Sequence, residues 1–174
     1  MKKIVFITAT RADYGKIKSL IAGMQKNKDF EVFVFVTGMH NLKKFGSTYL
    51  EVYKNKIKNI YKFKNQKLND NMDHILSKTI KGFFDFIKFK KLDLIVFHGD
   101  RIESLACAIV GCLNNIKTTE FTTLASFDDL LKAYDIFEKE VIIKSTEFGY
   151  DGKNQYRINS ENLHSFKSFD FKNF

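Results

Sequence analysis

Lys3-Ile4-Val5-Phe6-Ile7-Thr8-Ala9-Thr10-Arg11-Ala12-Asp13-Tyr14-Gly15 is an apolar run that stops at a polar loop. Unbroken Ile, Val and Phe without polar alternation is the pattern of a strand covered on both faces, as in a parallel sheet. Beyond the loop the spacing changes: Ile17, Leu20, Ile21 and Met24 recur at helical intervals. The same alternation then repeats. A strand is expected over Glu31–Thr37, closed by Gly38, then a helical segment over Leu42–Tyr53 and a short β-type stretch over Ile60–Phe63. A long amphipathic helix follows over Met72–Phe89, with Ile75, Leu76, Ile80, Phe83, Phe84 and Ile87 on its apolar stripe. Next come a strand over Leu94–Phe97 and a helix from near Glu103 to Asn114. Strands alternating with helices predict a three-layer α/β fold with a parallel sheet over residues 1–116.

Two of the three arginines, Arg11 and Arg101, sit where apolar β-type runs end. The chain has 29 basic residues, so lysine meets its general need for positive charge. Arginine is required where a planar fork must grip two anionic oxygens at once. Open parallel sheets hold ligands at the carboxyl ends of their strands, beside helix N-termini that favour anions. The two arginines therefore suggest a pocket for a phosphate-bearing small molecule. Each can instead pair with a nearby carboxylate, Asp13 or Glu103.

At 174 residues the chain suits one domain or one and a half, with 44% hydrophobic and 15% aromatic residues, too apolar for disorder. Proline is absent, phenylalanine occurs 19 times and lysine far exceeds arginine, which reads as compositional drift across the whole sequence. The net charge of +9 permits acidic partners. The densest basic stretch, residues 54–64, interleaves lysines with Tyr61 and Phe63, a pattern nucleic acid can use. A solvated lysine face explains it better, so neither nucleic acid nor membrane is expected as a partner. Cys107 and Cys112 lie in the apolar run Leu105–Leu113 and read as buried thiols of a reducing, cytoplasmic compartment without a metal. The basic N-terminus is too short in apolar residues for a signal peptide, and no run nears the roughly 18 residues of a membrane span. His98 and His40 lie near the expected site but read as structural; His74, His164, Ser47, Thr48 and Tyr49 have no placeable catalytic partner.

Three segments together, Thr8-Ala9-Thr10-Arg11-Ala12-Asp13-Tyr14-Gly15, Val36-Thr37-Gly38-Met39-His40 and His98-Gly99-Asp100-Arg101-Ile102-Glu103, resemble the UDP-N-acetylglucosamine 2-epimerases. The resemblance is nearest to the hydrolysing type, which releases N-acetylmannosamine for sialic-acid-like sugars and surface polysaccharides. It runs from residue 1 to about Ile116. It implies a Rossmann-like domain, the first half of a GT-B arrangement, with a UDP-sugar as substrate. It further implies that Arg11, Gly15 and Arg101 line the nucleotide–sugar cleft and that Asp100 is the acid–base residue near C2 of the sugar. No metal or redox cofactor is implied. After Ile116 the family continues with a Glu-Gly-Gly segment and a second domain, and this chain has neither. The chain alone is then expected to be incomplete or inactive, with a homo-oligomer or a complementing chain as its partner; the non-enzymatic alternative is a nucleotide-binding remnant.

Beyond Ile116 the character changes. Ser126-Phe127-Asp128-Asp129 is a capping pattern that opens a helix through Leu130, Leu131, Tyr134 and Phe137. Strands are expected at Val141–Lys144 and Tyr156–Ile158. Residues 118–158 resemble the ATP-grasp domain of the N5-carboxyaminoimidazole ribonucleotide synthases, through Val141–Lys144 and Gly149-Tyr150-Asp151-Gly152-Lys153-Asn154-Gln155. That resemblance implies ATP, with magnesium, held by Lys144 and by the loop Gly149, Tyr150, Asp151, Gly152 and Lys153. A β-hairpin with Asp-Gly at its tip is the alternative. The chain thus reads as residues 1–116, an appendage at residues 117–160 and a frayed tail at residues 161–174.

Overall fold

The computed structural model describes residues 1–116, 122–137, 140–144 and 155–172. The chain forms two compact units, Met1–Thr118 and Thr119–Phe174.

The first unit is built around its opening strand. β1 (Lys2–Thr8) pairs in parallel with β2 (Phe30–Val36) on one side and with β4 (Leu94–Val96) on the other. β3 (Asn59–Lys62) adds beyond β2, giving the order β3-β2-β1-β4. Alternate residues of β1 and β2 face opposite ways, so both faces need cover. Ile4, Phe6, Val32 and Val34 pack with Tyr14, Ile17 and Ile21 of α1 (Arg11–Gln25) and with Val52 of α2 (Tyr49–Lys54). Val5, Ile7, Phe33 and Phe35 pack with Phe83, Phe86 and Ile87 of α3 (Met72–Ile87) and with Cys107 and Val110 of α4 (Ile102–Leu113). The unit is the expected α/β three-layer, Rossmann-like fold.

Several local expectations are corrected. The helix expected over Leu42–Tyr53 is broken, because Gly46 (φ 82°) and Ser47 (φ 49°) are left-handed and end the 3-10 turn Lys43–Phe45 before α2 begins. Leu20 lies off the buried face of α1 and is half exposed. Cys107 is buried, but Cys112, five positions on, faces outward. Gly82 is demanded by packing, since a Cβ there would lie 2.1 Å from the Phe63 ring.

The second unit holds α5 (Phe127–Ile136) and an antiparallel pair, β5 (Val141–Lys144) with β6 (Gln155–Ile158). Ser126 caps α5 as expected, accepting from the Asp129 amide at 3.2 Å. Leu130, Ile143 and Ile158 form its centre. The described part of the tail, residues 161–172, is not frayed. Residues Leu163–Ser168 form a 3-10 turn, Phe171 is buried, and Phe166 and Phe169 stack edge-on against Tyr156. Phe166, Phe169 and Phe171 within six residues gave that segment enough apolar surface to close the small core.

Candidate functional site at the sheet switch point

The strand order itself locates the crevice. The chain moves outward from β1 to β2 to β3, then returns to place β4 on the other flank of β1. The direction of winding reverses between β1 and β4, and the loops leaving their carboxyl ends part there. One loop leads into α1 and carries Arg11; the other leads into α4 and carries Asp100 and Arg101. Both leave the same edge because β1 and β4 run parallel, with Ile4 opposite Leu94 and Phe6 opposite Val96.

The β1 loop is fixed by one buried carboxylate. Asp13 accepts from the Ala9 amide at 3.0 Å, from the Thr10 amide at 3.0 Å and from the Thr8 hydroxyl at 2.6 Å. Thr10 accepts in return from the Asp13 amide at 3.3 Å, completing a capping box. Thr8 has spent its proton on Asp13, so it accepts from His40 Nε2, 2.8 Å away. Thr48 Oγ1, 2.7 Å from Nδ1, then donates to the other ring nitrogen. This chain assigns a neutral imidazole with the proton on Nε2. His40 is fully buried, and burial holds its pKa below the usual value against the opposing pull of Asp13. It is a structural histidine.

The second loop is held differently. Gly99 has φ 93° and turns the chain outward, leaving Phe97, His98 and Asp100 exposed. Neither His98 nor Asp100 has a hydrogen bond or ion pair among the described residues. Arg101 gives two parallel bonds to Glu103, from Nε at 3.0 Å and from Nη2 at 3.3 Å. The Glu103 side chain is wholly buried and that of Arg101 one-third exposed. Asn65 also reaches Glu103, and its amide oxygen accepts from Gly38 at 2.9 Å. Burial, then the Glu103 charge, pushes the Cys107 thiol up, which removes it as a nucleophile.

The expected residues thus share one edge of the sheet but differ in state. Arg101 pairs with Glu103, the alternative left open by the sequence. Arg11 does not pair with Asp13; its partner is Glu51 of α2, at 3.2 Å, with the Arg11 side chain 74% exposed. Such a pair is weak and readily exchanged. Gly15 is exposed in the second turn of α1, and nothing lies within 4 Å of where its Cβ would be. Of the residues considered for ATP, Lys144 ends β5 opposite Gln155, exposed; Gly149, Tyr150, Asp151, Gly152 and Lys153 lie outside the described residues. Three contributors were missed. Thr10-x-x-Asp13 was legible as a capping pattern. Glu51 and Asn65 carry no local signal, because their partners are 40 and 27 residues away.

No helix among the described residues is long and apolar enough to cross a membrane. Residues 22–122 match the family UDP-N-acetylglucosamine 2-epimerase. The chain is 41% identical over 115 residues to the UDP-N-acetylglucosamine 2-epimerase of Neisseria meningitidis serogroup B, covering 66% of this chain and 30% of that one. It is 27% identical to the GDP/UDP-N,N'-diacetylbacillosamine 2-epimerase (hydrolyzing) of Campylobacter jejuni, over 99% of this chain and 48% of that one. A solved UDP-GlcNAc 2-epimerase from Neisseria meningitidis, bound to UDP-GlcNAc, superposes with a TM-score of 0.59 at 21% identity, covering 75% of this chain and 34% of that one. The chain therefore spans between about a third and a half of these relatives. With a matched segment longer than half its length and the fold in agreement, the chain belongs to the UDP-N-acetylglucosamine 2-epimerase family.

Proposed function

We propose that this chain supplies the nucleotide-sugar-facing first part of a hydrolysing UDP-N-acetylglucosamine 2-epimerase, converting UDP-N-acetylglucosamine to N-acetylmannosamine and UDP. The observation that carries this reading is the crevice between β1 and β4, which brings the Arg11 loop and the Asp100-Arg101 loop to one edge.

The diphosphate would lie across the two helix N-termini, where α4 has no side-chain cap to occupy its first amides. Arg101 and Arg11 would add charge, Arg11 by leaving its exposed partner Glu51. Gly15 leaves the flank of α1 bare, so a ligand can approach its backbone closely. Of the acids carried by the two strand-end loops and the first turns of α1 and α4, Asp13 is committed to its loop and Glu103 to Arg101, which leaves Asp100 as their carboxylate for chemistry; Glu51 of α2 is the partner of Arg11. As base it would take the proton from C2 while the C1–O bond breaks and UDP leaves with the electron pair. Water would then add its hydroxyl at C1, with a proton returned to C2 on the opposite face. This scheme needs no metal or redox cofactor.

The test is incubation of the purified chain with UDP-N-acetylglucosamine, with UDP release and N-acetylmannosamine both followed. UDP binding is measured in parallel by calorimetry. Binding with or without turnover supports the site; neither binding at millimolar UDP nor turnover ends the proposal. ATP at the hairpin is not advanced. Its described part is a plain antiparallel ladder, and the Campylobacter jejuni alignment runs through that unit too.

A further inference from the structure

Glu103 stands out on its helix. α4 reads Ile-Glu-Ser-Leu-Ala-Cys-Ala-Ile-Val-Gly-Cys-Leu, so Glu103 and Ser104 are its only polar side chains, and both are buried. A buried carboxylate is costly to desolvate, and a buried ion pair is often no more stable than an apolar pair of the same volume. Stability alone therefore gives little reason for a glutamate here. Its geometry gives a better one. Arg101 has five N–H donors, and Glu103 takes the side-on pair, Nε and one of Nη2. Both Nη1 hydrogens and the second of Nη2 remain, and one from each nitrogen forms the end-on fork that suits two oxygens of a phosphate. None of the three has a partner among the described residues, and the Arg101 side chain is one-third exposed.

Glu103 is itself held. Asn65 approaches Oε1 at 3.5 Å and is anchored by Thr79 at 2.9 Å and by the Gly38 amide. Gly38 supplies the space, since a Cβ there would lie 2.7 Å from Oε1. Through Asn65, one carboxylate is thus braced from the turn after β2, from the segment after β3 and from α3, and it braces Arg101 in turn.

We infer that Glu103 is a positioning residue, holding the Arg101 guanidinium side-on so that its end-on fork is presented to a phosphate at the β1–β4 crevice. This rests on the nucleotide site proposed above. The experiment measures UDP affinity by calorimetry for the whole chain and for Glu103→Gln, Arg101→Ala, Arg101→Lys and the double variant Glu103→Gln/Arg101→Ala. It also follows the Arg101 Nε–H resonance by nitrogen-15 NMR. Arg101→Ala and Arg101→Lys should each weaken UDP about tenfold, and Glu103→Gln roughly fivefold. In the Arg101→Ala background Glu103→Gln should cost nothing further, because its effect runs through the guanidinium. A merely structural role would give losses that persist in that background.

The inference is overturned if Glu103→Gln binds UDP like the parent or if the losses add. It is overturned too if Arg101→Lys binds like the parent, a result that stands even when Glu103→Gln does not fold. If the parent binds no UDP, the nucleotide site fails for the chain alone, and the resonance decides separately. An Arg101 signal that does not shift in Glu103→Gln shows that the carboxylate does not hold the guanidinium.

Discussion

Asp100 and His40 show two opposite ways in which a polar residue serves this edge. Asp100 is exposed and has no hydrogen bond or ion pair among the described residues, so replacing it should leave the fold alone. Asp100→Asn is expected to keep the parent's melting temperature within a degree or two while abolishing UDP release in a coupled assay. A variant that melts early would show a structural role instead. His40 is buried and neutral, and its depressed pKa has a definite consequence. The unfolded chain takes up a proton near pH 6.5 and the folded chain resists it. His40 therefore contributes full stability above that pH, and the contribution is lost as pH falls from about 6.5 through the lower folded value. Urea midpoints between pH 7.5 and pH 5 should fall in the parent. In His40→Gln they should start lower and fall less steeply.

At the scale of elements, two glycines in the same region should behave oppositely. Gly38 follows β2 with φ 60°, and a Cβ would meet Ala9 Cβ at 2.7 Å and the Ala9 carbonyl at 2.8 Å. Gly38→Ala should cost about 2–4 kcal/mol from strain and overpacking, read by denaturant unfolding. Gly15 lies in regular helix with open space around it. Gly15→Ala should stabilise by about 0.5–1 kcal/mol on helix propensity. The same change should weaken UDP if a ligand lies against that backbone. A stabilised variant with unaltered affinity would remove Gly15 from the site.

For the whole molecule, each unit closes its own core. Among the described residues, the two apolar layers of the sheet draw on residues before Thr118 and the third cluster on Leu124 to Phe171. A truncated chain of residues 1–118 should therefore retain a cooperative melt within several degrees of the parent. Non-cooperative unfolding of that truncation, by circular dichroism, would show that the sheet needs the second unit. The two edges of the sheet differ as well. β3 ends in Lys62 and is flanked by Lys58 and Lys64, which discourage pairing, whereas Leu94-Ile95-Val96-Phe97 at β4 carries no charge.

The sequence by itself determined the layered α/β fold, because a strand covered on both faces must be apolar throughout and a crossover helix must be apolar on one stripe. Those periods are local and can be read from Ile4–Thr8 or from Phe83–Ile87 without knowing what they touch. It also determined that Arg11, Asp100 and Arg101 would meet one edge, since parallel strands put all their carboxyl ends together. What the guanidiniums do there was decided only by tertiary structure. Glu51 reaches Arg11 from another helix, and Asn65 links Gly38 to Glu103 across two connections. The tail's fate was decided in the same way: whether Phe166, Phe169 and Phe171 fray or pack depends on a surface, Tyr156 and its neighbours, that exists only once the β5–β6 pair has formed. Partner choice is a matter of distance in space, and spacing along the chain carries no record of it.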